Sequence, residues 1–335
     1  RRATIEEIGL RERLLDIFKR TAFLRLGLFK KLKDLESPNE RVERELQELE
    51  EQFAKLKTIF DGVIGSIQSV QTYYIVISNP DNETNVLISS IDDTNIVNIP
   101  DPNFKNALLN QTYPVINTNG DNEIQVSEAF FANEIYVSYQ DISDLTGVEA
   151  FTNLEQLYCD DNNLTSLNVT QNANLIGLIA SNNESLGNID LSQNINLLAL
   201  WLDSCGLTNG LDLSQNVNLE GLNIRNNNIS NIDLSQNINL KSLDLSGTQY
   251  SNIDISIFPY LERLRIQYAD FSSIDLTQNS NLIEFIAFGN NFSQINVTQN
   301  LNLETLYLSG NQITSLDLSN NINLEQLWVS ENSLN

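Results

Sequence analysis

One phrase recurs along the second half of this chain and limits what it can fold into. "IDLSQNINL" stands at residues 189–197 and again at 232–240, with "LDLSQNVNL" at 211–219, "IDLTQNSNL" at 274–282 and "LDLSNNINL" at 316–324. The leading leucines are Leu154, Leu175, Leu197, Leu219, Leu240, Leu261, Leu282, Leu303 and Leu324, at steps of 21 or 22 residues. A fixed period of this length marks a solenoid. Each turn carries inward aliphatic residues that it cannot cover alone, and stacking turns buries them as one column. In the turn that starts at Leu303 the inward set is Leu303, Leu306, Leu308, Ile313, Leu316 and Leu318.

Each unit reads L-x-x-L-x-L-x-x-N-x-L-x-x-L-D-L-x-x-N-x-x. The asparagines at its ninth position (Asn162, Asn183, Asn227, Asn290, Asn311 and Asn332) suit a sharp inward turn, where an amide can satisfy buried backbone groups. Cys205 replaces asparagine in one unit and Thr248 in another. The pattern over 154–335 resembles the leucine-rich repeat family in its 21-residue bacterial form. Upstream, "VNIPDPNFKNALL" (97–109), "NTNGDNEIQVSEA" (117–129) and "ISDLTGVEAFTNLEQLYC" (142–159) resemble the N-terminal cap that precedes such repeats in Bacteroidetes proteins.

The expected architecture is α+β and multidomain: an N-terminal α-helical hairpin or coiled coil, then a leucine-rich repeat solenoid. Residues 1–71 form the helical anchoring or oligomerisation region, 72–100 a short β linker, 101–153 the cap, and 154–335 about 8.5 repeats. The sequence ends without a polar cap, which predicts further repeats or another domain beyond residue 335. In the first region "SPNE" (37–40) reads as a helix start. Val42, Leu46, Leu49, Phe53, Leu56, Phe60, Val63, Ile67 and Val70 then alternate steps of four and three, a heptad seam. The seam fits either a homo-oligomer, with a trimer or larger bundle favoured, or an intramolecular hairpin with residues 4–35. Residues 1–35, with ten basic and five acidic side chains among leucine and phenylalanine, suit an acidic assembly partner or a membrane surface. "YYIVIS" and "NVLISSI" read as two strands around "NPDN".

Charge narrows the partners. Residues 1–61 hold 14 basic and 13 acidic side chains, whereas 62–335 hold 5 basic and 31 acidic. So acidic a surface repels phosphate backbones, which argues against nucleic acid. The chain has no histidine, and its two cysteines, Cys159 and Cys205, stand two units apart, too far for a disulfide. No catalytic constellation appears: no nucleophile–base pair, phosphate loop or convergent carboxylates. No apolar run is long enough to span a bilayer.

Three candidate sites remain. "NTNGDNEIQVSE" (117–128) aligns with an EF-hand-type loop, with Asn117, Asn119 and Asp121 at ligand positions 1, 3 and 5, the Glu123 carbonyl at 7 and Glu128 at 12. It predicts Ca²⁺ as the one cofactor, with Asn122 making the sharp turn that glycine usually makes. The aspartates of the repeated "LDL" (Asp190, Asp212, Asp233, Asp254, Asp275 and Asp317) form an outward column that reads as turn caps, with a cation ladder as the alternative. The repeats differ most at the outward position of the first L-x-L, which carries Tyr158, Trp201, Arg265, Tyr307 and Trp328, and just after it come Arg225, Tyr268 and Phe288. Exposed Trp, Tyr and Arg on a constant scaffold have the composition of a binding surface.

Leucine-rich repeat proteins of this type are, by resemblance, non-enzymatic binding or adhesion modules. The expectation is a bacterial cell-surface or extracellular protein whose arm binds a protein or glycan. The alternative is a structural spacer in a large assembly, such as a secreted appendage or phage-like particle.

Overall fold

The computed structural model describes residues 95–334 in full and, before them, the backbone of two strands. The seam from Val42 to Val70 and the rest of the expected helical region lie outside the described residues. β1 (Thr72–Val76) and β2 (Leu87–Ile91) pair antiparallel, with Tyr74 opposite Ser89. They belong to one compact unit, residues 1–93, and everything that follows to a second, residues 94–335. Residues 95–100 belong to the cap, where Val97 N–H bonds Ile124 O (2.8 Å) and Val126 N–H bonds Asn95 O (2.8 Å).

The cap contains α1 (Pro102–Asn110), α2 (Val126–Phe131) and β3 (Glu134–Tyr136). Asp101 starts α1 because its Oδ1 accepts from Asn103 N–H (2.9 Å) and Phe104 N–H (3.1 Å), with Pro102 at the first helical position. Its Oδ2 accepts from Ser143 N–H and Asp144 N–H, so one buried carboxylate ties the helix to the loop before the repeats. Phe104, Leu108, Ile116, Ile124 and Ile135 are fully or almost fully buried beneath it and close the apolar end of the stack.

From β3 onward each turn adds one three-residue strand: β4 (Gln156–Tyr158), β5 (Gly177–Ile179), β6 (Ala199–Trp201), β7 (Gly221–Asn223), β8 (Ser242–Asp244), β9 (Arg263–Arg265), β10 (Glu284–Ile286), β11 (Thr305–Tyr307) and β12 (Gln326–Trp328). With β3 they make a ten-stranded parallel sheet in sequential order. The register is constant: Leu157, Leu178, Leu200, Leu222, Leu243, Leu264, Phe285, Leu306 and Leu327 stand side by side. All but Leu327 are buried, and each stabilises the stack by about 1.5–3 kcal/mol.

Polar ladders hold the turns at a fixed pitch. Asn227 is typical of the ninth-position column. Its Nδ2 donates to Leu202 O (2.8 Å), Ile224 O (2.9 Å) and Arg225 O (3.1 Å), and its Oδ1 accepts from Cys205 N–H (3.0 Å) and Leu207 N–H (2.9 Å). Cys205 repeats part of this pattern, with its Sγ donating to Ala180 O (3.1 Å). Burial raises the Cys159 thiol strongly and pushes Cys205 up to about 11, so both stay protonated and unreactive. A second, wholly buried column comprises Asn172, Asn194, Asn216, Asn237, Asn279, Asn300 and Asn321. Asn216, for example, donates to Leu191 O (3.1 Å) and Asn194 O (2.9 Å) of the preceding turn. In one turn Phe258 fills that place.

The aspartate column caps turns, as its spacing suggested. Asp190, Asp212, Asp233, Asp254, Asp275 and Asp317 each accept the N–H two residues on, at 2.9–3.0 Å. These bonds hold all six carboxyls below the usual aspartate value; the backbone N–H of Ser192 leads at Asp190 and the Ser256 hydroxyl at Asp254. A depressed folded-state pKa stabilises the fold above the unfolded value, and that contribution disappears as pH falls through the folded value. Calorimetry should therefore show the melting temperature falling as pH drops below the usual aspartate value. Changing Asp190, Asp212 and Asp233 together to asparagine should flatten that slope; an unchanged slope would reject the capping role.

Candidate binding surface

Alternation along each strand sends the residues of three columns outward. The first runs Gln156, Gly177, Ala199, Gly221, Ser242, Arg263, Glu284, Thr305, Gln326, and the second Tyr158, Ile179, Trp201, Asn223, Asp244, Arg265, Ile286, Tyr307, Trp328. The third, two residues further on, begins with Asp160, Ser181, Asp203 and Arg225 and continues through Ser246, Gln267 and Phe288. Adjacent strands lie about 4.8 Å apart, so the nine turns form a strip of about 38 Å, wide enough for a protein interface.

This strip differs electrically from the rest of the molecule. Its acidic residues are Asp160, Asp203, Asp244 and Glu284 and its basic ones Arg225, Arg263 and Arg265, a balance near neutral. Elsewhere the described residues 95–334 carry 2 basic and 23 acidic side chains. Three of the five basic residues after residue 61 thus gather on one face, surrounded by a strongly acidic remainder.

All the candidate residues but Tyr268, which packs on Phe288, belong to these columns, and most of the aromatic ones are already paired. Tyr158 stacks on Tyr136 of the cap, ring centroids 4.8 Å apart, and Tyr307 stacks on Trp328 at 4.3 Å. Tyr268 meets Phe288 edge to face at 5.1 Å. Arg265 Nε bonds Glu284 Oε1 at 2.7 Å, Arg263 lies 3.7 Å from Glu262, and Lys241 and Lys105 pair with Glu220 and Glu123. Two residues stand apart. Trp201 is 49% exposed and stacks on no other ring among the described residues. Arg225 is exposed and is the one basic side chain among the described residues with no carboxylate within ion-pair distance.

The backbone reveals a further column. The residue seven places after each leading leucine has a left-handed conformation in every turn: Asp161, Asn182, Ser204, Asn226, Gly247, Tyr268, Gly289, Gly310 and Glu331, all with φ between 53° and 67°. This geometry favours glycine, yet Tyr268 adopts it and remains 64% exposed. A Cβ on Gly289 would come within 2.4 Å of the Tyr268 ring, so the glycine next door makes room for it.

The loop at 117–128 departs from the EF-hand expectation. The left-handed residue is Gly120 (φ 73°), fourth in the loop, and Asn122 does not take that conformation. Glu128 is buried, its Oε1 accepting from Thr118 N–H (2.6 Å), Thr118 Oγ1 (2.7 Å) and Asn119 N–H (3.1 Å) and its Oε2 from Gln125 N–H (3.1 Å). Asp121 accepts from Glu123 N–H, the Asn119 amide and the Gln125 amide, and Asn117 Oδ1 accepts Gly120 N–H. In this arrangement the loop's own donors bond the side-chain oxygens that the spacing assigned to an ion.

With this geometry in view, known proteins can be compared. The functional domain of InlJ from Listeria monocytogenes, described as including a cysteine ladder, matches at 29% identity and a TM-score of 0.64, over 70% of this chain and 51% of its own. The repeats of this chain, residues 154–334, form a leucine-rich repeat solenoid. An internalin (inlF) from the same organism matches at 18% identity and a TM-score of 0.55, over 70% of this chain and 76% of that one, a likeness of fold alone. The chain thus spans about half the length of the InlJ domain. No protein-family model and no curated protein matches the sequence. No helix among the described residues is long and apolar enough to cross a membrane.

Proposed function

We propose that this chain is a non-enzymatic, adhesion-type module that binds a protein partner through the outward face of β4–β12. The observation that carries this reading is the gathering of Trp201, Trp328, Tyr307 and all three arginines of the repeats on a near-neutral strip, with Tyr268 packed on its Phe288, in an otherwise acidic molecule. Aromatic residues and arginine dominate binding energy where water is excluded, and the acidic surroundings steer a partner with a basic rim. The likeness to internalin structures supports an adhesion role outside the cell. The region 1–71 would anchor or oligomerise the arm, and the loop at 117–128 would brace the cap without metal. A calcium titration by calorimetry tests that last point, since binding heat would require Glu128 to release Thr118 and Asn119.

A photo-crosslinking side chain introduced into the full chain at Arg265 or Trp328, and in parallel at Asp212 or Asp275, tests the main reading. Exposed to the surface on which the producing cell settles, the strip positions should give adducts with a foreign protein and the aspartate positions should not. Adducts only between copies of this chain would favour the spacer alternative, and equal labelling of both sets would reject a dedicated face.

A further inference from the structure

We infer that Trp201 and Arg225 together form a subsite for a sugar ring that carries a single carboxylate. This rests on the reading of the sheet face as a binding surface and names the chemistry that one part of it recognises.

Trp201 pairs in register with Asn223, and Arg225 lies two residues beyond Asn223, so the two are diagonal neighbours about 7–8 Å apart, within mutual reach of long side chains. They are the unstacked tryptophan and the unpaired cation noted above, and the sheet brings them together from different turns. Asp203 stands beside Arg225 in register yet forms no ion pair with it. Its Oδ1 is held instead by the Ser181 hydroxyl and by Asn223 Nδ2 (3.0 Å). Asp203 Oδ2 has no donor among the described residues and can accept from a ligand. Asn223 Oδ1 is fixed by Arg225 N–H (3.1 Å), which holds this part of the turn in place.

Beside Trp201 the sheet is low. Ala199, Gly221 and Ser242 are register partners in the first outward column, and a Cβ on Gly221 would meet no atom within 4 Å. Gly177, one turn earlier, is covered by the Gln156 amide, so the depression begins at Ala199. An open floor beside a half-exposed indole suits a flat ring lying against the tryptophan face. A few polar groups around it, Asp203 and Arg225, fix its orientation through a hydroxyl and a carboxylate.

Charge decides the size of the ligand. One free guanidinium matches one carboxylate, while the 23 other acidic side chains of residues 95–334 repel a polyanion. The favoured occupant is thus a terminal acidic pyranose, such as that displayed on a glycoprotein, rather than an acidic polysaccharide.

The probes are methyl β-glucuronide and methyl β-glucoside, which differ only in the carboxylate. The chain has two tryptophans, so its indole N–H resonances can be assigned with a Trp328→Phe variant of the full chain. Glucuronide should shift the Trp201 resonance, and glucoside should bind at least about tenfold more weakly. Arg225→Gln should remove that preference with the rest of the spectrum unchanged, and Arg225→Lys should restore part of it. Equal binding of the two sugars, a shift confined to Trp328, or no shift would each overturn the inference. So would tighter binding of acetyl-phenylalanyl-glutamate amide, which would assign the arginine to a peptide carboxylate. A crosslinked protein partner together with a failed glucuronide titration would retain the binding face and remove only the sugar.

Discussion

Asn227→Ala should lower the stability of the repeat unit by about 3–5 kcal/mol, a loss large enough to read as a drop in urea midpoint. The side chain serves four buried backbone groups at once: Cys205 N–H, Leu207 N–H, Leu202 O and Ile224 O. Alanine leaves these without a partner in a site that is 5% exposed, where each unsatisfied group costs about 1–3 kcal/mol. The sum falls below the simple product because neighbouring groups relax together. Asp233→Ala, in the same turn but exposed to solvent, should produce a far smaller change. Comparable losses from the two would show that the ladder does not hold the turns together.

Phe258 gives the second large effect. It occupies the buried column that asparagine fills in seven other turns, and no part of it is exposed. Phe258→Ala should cost about 3–5 kcal/mol, the usual range for deleting a buried phenyl group. Phe258→Asn separates volume from hydrogen bonding. By analogy with Asn237, which donates to Leu213 O and Asn216 O, the new amide would reach Leu234 O and Asn237 O. The asparagine variant should therefore lose less than the alanine variant, by about 1–2 kcal/mol. If it loses as much or more, the turn has been rebuilt around the ring and no longer accepts the ladder.

Much of this scaffold can be read from the sequence because its physics repeats. Leu, Asn and Asp return at the same places every 21 or 22 residues, and the inward strand residues, the Asn162-type ladder and the Asp190-type caps lie where that spacing puts them. The left-handed column was hidden, since Asp161, Ser204, Tyr268, Gly289 and Glu331 share a backbone conformation and no side-chain type. Residue identity signals such a turn only when it is glycine or asparagine. The loop at 117–128 is legible only in its spacing, for a related reason. Its oxygens have ion-binding spacing, but whether they face a metal or the loop's own N–H groups depends on which residue turns left-handed, and that is Gly120.

The binding face was half legible. Variation against a constant background located the strip, but pairing between turns could not be read. Tyr158 is covered by Tyr136 of the cap, and Arg265 is engaged by Glu284 nineteen residues away. These contacts depend on side-chain direction across a strand boundary. What distinguishes Trp201 and Arg225 is the lack of such contacts, which appears only once every neighbour is placed.

The asparagine ladders also give the solenoid a direction. Asn183 reaches back to Cys159 O and Leu164 N–H, Asn227 to Leu202 O and Cys205 N–H, and Asn311 to Ala287 O and Phe292 N–H. In each case the later turn supplies the amide and the earlier one is satisfied by it. A turn is thus finished only when its successor arrives, and growth from the cap outward completes each step in the order in which a ribosome or a secretion pore delivers the chain. Growth in the opposite sense would leave each incoming turn's amides with only the carbonyls of their own turn to bind. The arm is built to zip from the cap outward.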